Sequence, residues 1–353
     1  MNNDFSSPDN GFQAIRFDGR VLRLLDQRAL PARESWLDIT HVDQVIDAIA
    51  NLMVRGAPAI GITAAYGAVI AAHARGDDRA AWGEDLVRLE SARPTAVNLS
   101  WAIARMRRVV EAADHIDPEA LLAEARTIHR EDIAANRTMA ELGSEQIESG
   151  SGILTHCNTG SLATGGIGTA LGVIMAAAGK GRASAIFADE TRPWLQGSRL
   201  TAWELARAGI DARIIVEGAA AALMAAGKVQ WVITGSDRIA ANGDVVNKIG
   251  TYSLAVLARH HGVKFMVVAP TSTVDPDMTS GDQVAIEQRD PDEIWSAAGL
   301  EAAPGGFSAW NPVFDVTPAE LVDCIVTEEG VFKHPYQFNN TSSVSRLPFS
   351  KKL

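Results

Sequence analysis

The sequence predicts an α/β protein, in which a mostly helical N-terminal domain precedes a Rossmann-like domain with a mainly parallel, doubly wound sheet. Residues 43–148 carry apolar residues at helical spacing and little strand signal. The following residues alternate short apolar runs with helical stretches. At 353 residues, the chain is also long for one core, because single cores stop growing near ~250–300 residues. We expect the two domains to comprise residues 1–148 and 149–353.

The N-terminal domain is expected to begin with a β-hairpin and to continue with helices. Residues 11–40 hold short alternating apolar pieces around Asp18-Gly19, a typical hairpin turn. A break at residues 55–58 separates the first two helical patterns. The predicted helices span residues 42–54, 59–74, 79–90, 98–113 and 118–148.

The C-terminal domain is expected to contain parallel strands joined by helical crossovers. Apolar runs typical of buried strands occur at residues 152–156, 184–188, 212–216, 230–234, 264–269 and 323–327. Helical patterns occupy residues 161–179, 197–209, 218–227 and 250–262. This alternation implies right-handed crossovers between parallel strands. The longer gap at 270–322 is expected to hold irregular loop and a tail element.

Composition and charge exclude several classes of function. The net charge of −11 argues against a general nucleic-acid surface. The two cysteines, Cys157 and Cys324, give no disulfide framework and fit a reducing compartment. The N-terminal residues lack the pattern of a signal peptide, and no run of about 18 apolar residues predicts a membrane helix. The histidines show no metal-ligand spacing. We therefore expect a cytoplasmic protein with no metal site, membrane contact or nucleic-acid partner.

Residues 230–252 place a carboxylate and an ammonium group after one predicted strand. Asp237 follows the strand at 230–234, and Asn247 and Lys248 precede a new helical run. In open α/β sheets, ligands bind at the carboxyl ends of strands, where helix N-termini favour anions. This arrangement suits acid/base work on a phosphorylated substrate. Ordinary turn residues in a surface loop would give the same pattern.

Cys157 lies at the end of the first strand of the predicted sheet. A helix N-terminus facing it would favour thiolate, although a buried free cysteine is also an ordinary core residue. His156 should point to the opposite face if the strand persists. The glycines of residues 160–168 match neither a dinucleotide fingerprint nor a P-loop. They either cradle a phosphate with backbone N–H groups or allow close helix–sheet packing.

Acidic, basic and amide side chains also cluster after the strand at 184–188. Asp189 and Glu190 are candidates for an acid/base pair, although a helix cap or a salt bridge to Arg192 explains them equally well. In the helical domain, the loop residues Arg55 and Arg93 are candidates for binding an anion.

Taken together, these stretches closely resemble the methylthioribose-1-phosphate isomerase family. The resemblance runs from about residue 12 to residue 334. That family is related to the regulatory subunits of the eukaryotic translation-initiation guanine-nucleotide exchange factor and to ribose-1,5-bisphosphate isomerase, so fold alone does not settle function. The motifs that carry the resemblance are RGAPAIG at 55–61, RPT at 93–95, THCNTG at 155–160, DETRP at 189–193 with Gln196-Gly197, and GSDRI at 235–239 with NKIG at 247–250.

The resemblance implies an aldose–ketose isomerisation of 5-methylthioribose 1-phosphate to 5-methylthioribulose 1-phosphate, a step of methionine salvage. It implies a homodimer that needs neither a metal nor a cofactor. By family motif, Asp237 is the proton donor and Cys157 is the second catalytic group. Substrate contacts map onto Arg55, Gly56, Ala57, Arg93, Gln196, Asn247 and Lys248.

Two other functions fit related proteins. The first is isomerisation of another 1-phosphorylated sugar, such as ribose 1,5-bisphosphate or 5-deoxyribose 1-phosphate. A bisphosphate would need extra cationic groups around C5 of the sugar, whereas a thioether needs apolar ones. The second is a non-catalytic regulatory subunit that binds sugar phosphate or nucleotide. The presence of both Cys157 and Asp237 favours the enzyme.

Overall fold

The chain divides into two compact units. The computed structural model describes residues 11–93, 96–296, 299, 305 and 307–338. Within them, the first unit comprises residues 11–137 and 160–168, and the second comprises residues 138–159 and 169–338. The first unit is mostly helical and the second is built on a large, mostly parallel sheet. The predicted fold class is confirmed.

The first unit opens with a small antiparallel sheet and continues with helices. The predicted hairpin is confirmed, with its turn at Asp18-Gly19. Its third strand was not predicted, because it is only four residues long and half-exposed. The strands are β1 (Ile15–Phe17), β2 (Leu22–Leu25) and β3 (Trp36–Ile39). The helices are α1 (Val42–Ala50), α2 (Ala57–Arg75), α3 (Arg79–Ser91), α4 (Val97–Glu111) and α5 (Pro118–Glu145), whose last turns belong to the second unit.

Helix α2 lies at the centre of the first unit's core. Every residue from 59 to 72 is buried, and Gly61 allows the close approach of α4, because a Cβ there would lie 2.6 Å from the carbonyl oxygen of Asn98. Among the described residues, α2 alone has the length and hydropathy of a membrane span. A helix that is apolar on all sides is either a core helix or a membrane helix. Its burial within the unit marks α2 as a core helix.

The second unit is built on a seven-stranded sheet. Its strands, in chain order, are β4 (Ser151–Thr155), β5 (Ala183–Asp189), β6 (Arg213–Ile215), β7 (Trp231–Thr234), β10 (Lys264–Val268), β13 (Cys324–Thr327) and β14 (Gly330–Phe332). The spatial order is β14-β13-β10-β7-β4-β5-β6. All six predicted strands are present and parallel, and β14 adds an antiparallel edge. Strands β4, β7 and β13 are buried at every residue, which explains their continuous apolar sequences.

The helices of the second unit follow the predicted alternation, with differences at residues 161–169 and at 292–296, where a short helix lies in the stretch expected to be irregular. The helix predicted for residues 161–179 begins only at Ala170, after a short 3₁₀ turn at Ser161–Ala163. Three glycines in residues 165–168 disfavour a regular helix there. The helices are α6 (Ala170–Gly179), α7 (Ala202–Arg207), α8 (Ala220–Ala225), α9 (Thr251–His261) and α10 (Asp292–Ser296), and a π-helical turn (Gly197–Thr201) leads into α7.

A second, four-stranded sheet forms where the sequence predicts loops. It has the order β11-β8-β9-β12, with β8 (Arg238–Ala240), β9 (Val245–Lys248), β11 (Val274–Asp275) and β12 (Phe314–Thr317). These strands have two to four residues, too few for a periodic signal. The partner of β9 also comes from far along the chain, since Asn247 lies opposite Asp315.

His129, in the first unit, is a buried and neutral histidine. Its Nε2 lies 2.8 Å from the carbonyl oxygen of Gly165, and its Nδ1 lies 3.0 Å from the hydroxyl of Tyr66. Burial lowers the pKa of His129 to about 4. The N–H of Gly165 donates to Asp132 Oδ2 over 2.7 Å, and that of Gly166 donates to the hydroxyl of Thr164. These internal hydrogen bonds favour packing over phosphate binding for the glycine loop.

The pKa of His129 predicts how stability depends on pH. The unfolded histidine titrates near 6.5 and the folded one near 4, so the unfolded state takes up the proton first. Stability should fall by roughly 3 kcal/mol as the pH drops from about 6.5 towards 4. His129→Gln lacks this titration and should show a shallower fall in thermal midpoint across that window. Parallel curves for the two proteins would contradict the assignment.

Candidate active site

Cys157 and Asp237 follow two neighbouring strands of the main sheet. Strands β4 and β7 pair in parallel, with Thr155 opposite Ile233. The chain leaves β4 towards β5 on one side and leaves β7 towards β10 on the other. Open α/β sheets bind ligands at such a switch point, outside the carboxyl ends of the strands. The fold therefore brings the two strand ends that precede the predicted catalytic residues side by side.

The backbone of Cys157 adopts a conformation that is uncommon outside glycine. Its φ is 61°, and its side chain is buried with 5% exposure. Two hydrogen bonds hold the residue: its N–H donates to Thr191 Oγ1 over 2.9 Å, and its carbonyl accepts from Thr201 Oγ1 over 2.6 Å. A left-handed non-glycine residue costs on the order of 1 kcal/mol or more and occurs often at functional sites. This geometry supports a functional role for the thiol.

His156, the residue before Cys157, is fully buried and charged. Its Nδ1 lies 2.7 Å from Asp189 Oδ2, and its Nε2 lies 2.9 Å from the carbonyl oxygen of Ile249. A carboxylate and a carbonyl only accept hydrogen bonds, so both ring nitrogens carry a proton. Burial lowers the pKa of His156, but the Asp189 carboxylate outweighs this effect and raises it to about 9.

The role of Asp189 differs from both interpretations of the sequence. It pairs with His156 rather than with Glu190 or Arg192, and its other oxygen accepts a hydrogen bond from Thr191 over 2.6 Å. Strand β4 ends at Thr155, before His156. The alternation of side chains between the two faces of a strand therefore does not determine the direction of the His156 side chain. Sequence reasoning missed this pair because its partners lie 33 residues apart and carry no local pattern.

Three side chains that can ligate cations lie close together in this region. The ligand atoms of His156, Asp189 and Glu217 are within 4.8 Å of one another. Both nitrogens of His156 already donate hydrogen bonds and offer no lone pair to a metal. Burial raises the pKa of Glu217, whose carboxylate accepts the N–H of Arg192 over 2.9 Å. Hydrogen bonding and charge pairing therefore account for this cluster, and we propose no metal there.

Gln196 presents a buried acceptor without a partner among the described residues. Its side chain is 6% exposed, and its Oε1 accepts no hydrogen bond from the described part of the chain. Leaving such a group unsatisfied costs about 1–3 kcal/mol. A ligand hydroxyl that donates to this oxygen would recover that free energy, which agrees with the predicted substrate contact.

Asn247 and Lys248 lie at the end of β9, beside the N-terminus of α9. The amide of Asn247 is buried and donates to Thr251 Oγ1 over 2.9 Å. The ammonium of Lys248 lies 4.4 Å from the ring centroid of Phe314. Asp315 caps α9 by accepting the N–H of Gly250 over 2.8 Å, and burial raises the pKa of Asp315 to about 6. The structure thus holds both predicted residues in a well-connected turn.

The remaining predicted residues lie in the first unit. Gly56 caps α2 with a φ of 93°, and a Cβ there would come within 2.5 Å of Ala163, so only glycine fits. Ala57 is the buried first residue of α2, and Arg55 and Arg93 are half-buried. The N-terminus of a long helix favours an anion. The rest of the RPT motif, residues 94–95, lies outside the described residues.

Sequence comparison places these features in a known group. The profile of the Initiation factor 2 subunit family matches residues 53–334. Methylthioribose-1-phosphate isomerase of Thioalkalivibrio sulfidiphilus is 58% identical over 327 residues, covering 92% of this chain and 94% of the relative. The enzyme of that name from Nitrosococcus oceani is 57% identical over 337 residues, covering 94% and 97%.

Solved structures give the same grouping. The 5-methylthioribose 1-phosphate isomerase of Pyrococcus horikoshii superposes with a TM-score of 0.86 at 38% identity, covering 96% of this chain and 97% of that one. The A. fulgidus protein described as the delta subunit of translation initiation factor eIF-2B gives a TM-score of 0.80 at 40% identity, covering 92% and 97%. The sequence-based assignment to this group is confirmed.

The two ends of α9 provide a matched test of the packing around His156. Gly250 and Gly262 flank the helix, and both have left-handed backbones. A Cβ at Gly250 would lie 2.9 Å from His156 Cε1 and 3.0 Å from Glu217 Oε1, whereas one at Gly262 would meet nothing within 4 Å. Gly262→Ala should cost about 1 kcal/mol from backbone strain alone.

Gly250→Ala adds steric contact, and the φ of 103° at Gly250 strains an alanine more than the 66° at Gly262 does, so we expect it to destabilise the protein by at least ~1 kcal/mol more. Chemical denaturation of both variants measures the difference in free energy of unfolding. Equal destabilisation would show that the buried imidazole does not pack against this turn.

Proposed function

The chain belongs to the Initiation factor 2 subunit family, and we propose that it acts there as an aldose–ketose isomerase. It converts 5-methylthioribose 1-phosphate to 5-methylthioribulose 1-phosphate, a step of methionine salvage. Relatives more than half identical over about nine-tenths of the chain carry the corresponding name. Within the structure, the observation that carries the proposal is the position of Cys157 and Asp237 after paired strands at the switch point.

Asp237 is proposed as the acid of the reaction. Phosphate on the anomeric oxygen blocks the free ring opening that other sugar isomerases use, so the enzyme must protonate the ring oxygen while a hydrogen moves between C2 and C1. Asp237 is partly buried between β7 and β8, and its N–H donates to the carbonyl of Val246 over 2.9 Å. This contact fixes the backbone from which the carboxyl group projects. Cys157 is proposed as the second catalytic group, which stabilises the transition state.

Seven residues are proposed to bind the substrate. In the second unit, the ammonium of Lys248 supplies positive charge for the phosphate, and the amides of Gln196 and Asn247 hydrogen-bond sugar hydroxyls. The unpartnered Oε1 of Gln196 supports this role. In the first unit, the guanidinium groups of Arg55 and Arg93, with the helix start at Gly56 and Ala57, suit an anion.

The finer architectural and cellular assignments are also proposals. Among the six parallel strands the spatial order is 3-2-1-4-5-6, which supports a Rossmann-like description with domains 1–148 and 149–353. Two unpaired cysteines support a cytoplasmic location. The family resemblance supports a homodimer, and the net charge of −11 supports a small-molecule partner rather than nucleic acid.

A regulatory role is the second candidate, because a protein named as a translation-factor subunit is 40% identical to this chain. Turnover decides the question. Purified protein should isomerise methylthioribose 1-phosphate with a higher kcat/KM than ribose 1,5-bisphosphate or 5-deoxyribose 1-phosphate. A preference for either alternative would reassign the substrate. Binding without turnover of any of the three would favour the regulatory role.

Replacement of Asp237 tests the proposed acid. Asp237→Asn keeps the shape of the side chain and removes its titratable proton, so kcat should fall by ~10²–10⁴-fold or more while substrate still binds. Steady-state kinetics and calorimetric titration with substrate measure both effects. Near-normal turnover in this variant would remove Asp237 from the mechanism.

The two cysteines allow a controlled test of the thiol. Cys157→Ala should lower kcat by ~10²-fold or more, with a thermal midpoint within a few degrees of the parent, a change on the order of 1 kcal/mol. Cys324 is equally buried in β13, and burial raises the pKa of its thiol to about 12, so it is inert. Cys324→Ala should lose stability and keep its activity. The opposite result for Cys157, lower stability with full activity, would make it a core residue.

A further inference from the structure

Three loops of the second unit meet at one buried side chain. They follow β4, β5 and β9: the first carries Cys157, the second carries Gln196, and the third begins directly after Asn247 and Lys248 at the end of β9. The side chain is that of His156, which is fully buried. The three loops come from distant parts of the sequence, so their relative positions depend on contacts between them.

A continuous chain of hydrogen bonds connects the loops. The N–H of Cys157 donates to Thr191 Oγ1 over 2.9 Å, and the hydroxyl of Thr191 donates to Asp189 Oδ1 over 2.6 Å. The other oxygen, Oδ2, accepts from His156 Nδ1 over 2.7 Å. His156 Nε2 then donates to the carbonyl of Ile249 over 2.9 Å, directly after Lys248.

The surroundings prevent this chain of bonds from rearranging easily. His156, Asp189 and Thr191 are inaccessible to solvent, so water cannot replace the bonds between them. The glycine at position 250 lies against the edge of the ring, since a Cβ there would be 2.9 Å from Cε1. Buried, fully satisfied polar networks of this kind stiffen the structure that holds them.

We propose that His156 is a positioning residue for the isomerase reaction, tying the loop of the catalytic thiol to the turn that directly follows the substrate-binding Asn247 and Lys248. This inference rests on the proposed function. The imidazole does not contact the substrate in this role. It fixes where the thiol and the substrate-binding amide and ammonium groups lie, and displacement of reacting groups by about 1 Å costs ~10²-fold in rate.

Two variants separate the effect of the hydrogen bond between His156 and Ile249, which joins two loops, from the effect of the ion pair between His156 and Asp189. In Asp189→Asn, the new amide donates to His156 Nδ1, the neutral ring still donates to Ile249, and Thr191 keeps its acceptor. In the double variant His156→Leu/Asp189→Asn, leucine fills the space of the ring without any hydrogen bond to Ile249, and no unpaired carboxylate is left behind. Comparison of the double variant with Asp189→Asn therefore measures what the imidazole contributes by joining the two loops.

The measurements are kinetics with methylthioribose 1-phosphate and amide hydrogen exchange. Relative to Asp189→Asn, the double variant should lose about 100-fold or more in kcat, raise KM, and exchange faster at residues 247–251. Tyr336→Phe is the matched control, because it removes another buried hydrogen bond of the second unit, from its hydroxyl to the carbonyl of Val322 over 2.6 Å. It joins none of the three loops and should keep both properties.

Each other outcome overturns the proposal in a recognisable way. If the double variant only loses thermal stability and keeps the kcat of Asp189→Asn, His156 is a core residue. If kcat falls while exchange at 247–251 is unchanged, His156 acts on the substrate directly. If the parent protein has no turnover, the proposed function fails. Amide exchange at residues 247–251 is then the remaining test. Unchanged exchange would show that His156 does not hold the loops together either. Faster exchange would show that it holds them together but has no role in this reaction.

Discussion

The ion pair between His156 and Asp189 is the contact on which the functional edge of the second unit depends. A single buried charge in this sheet would cost several kcal/mol, and a pair repays that cost only when every remaining donor and acceptor is satisfied. Here Asp189 also accepts from Thr191, and His156 also donates to Ile249. The pair is stable in the interior because its remaining donor and acceptor atoms are satisfied. The hydrogen bonds that satisfy them reach the loops next to the proposed site residues.

The two buried histidines of this chain show how acceptor geometry sets charge. His129 lies between a hydroxyl and a carbonyl, so one nitrogen accepts, the other donates, and burial keeps the ring neutral. His156 lies between a carboxylate and a carbonyl, so both nitrogens must donate and the ring is charged. Burial opposes the charge in both cases, and only the carboxylate of Asp189 is strong enough to reverse its effect. A buried histidine is thus a neutral core residue in the first unit and a charged residue that joins loops in the second.

The sequence predicts what depends on burial and misses what depends on distant partners. The parallel strands were predictable because strands buried on both faces read as continuous apolar runs. The β8–β9 hairpin was not, because its strands are short and β9 takes a partner from β12. Among the site residues, the positions of Cys157 and Asp237 after strands follow from pattern, whereas their proposed roles come from family resemblance. The pairing of His156 with Asp189 and the left-handed backbone of Cys157 have no local signature.

The hydrogen bonds of Asp189 also explain why the proposed acid must be another residue. The sequence offered Asp189 and Glu190 as a second acid/base pair, and Asp189 lies at the carboxyl end of β5, whereas Asp237 follows shortly after the end of β7. Both oxygens of Asp189 accept hydrogen bonds, one from a hydroxyl and one from a charged imidazole, so both are already engaged within the protein. It is also fully buried, whereas Asp237 is partly exposed at the switch point. The partial exposure of Asp237 outside this network supports the proposal that it, rather than Asp189, is the acid.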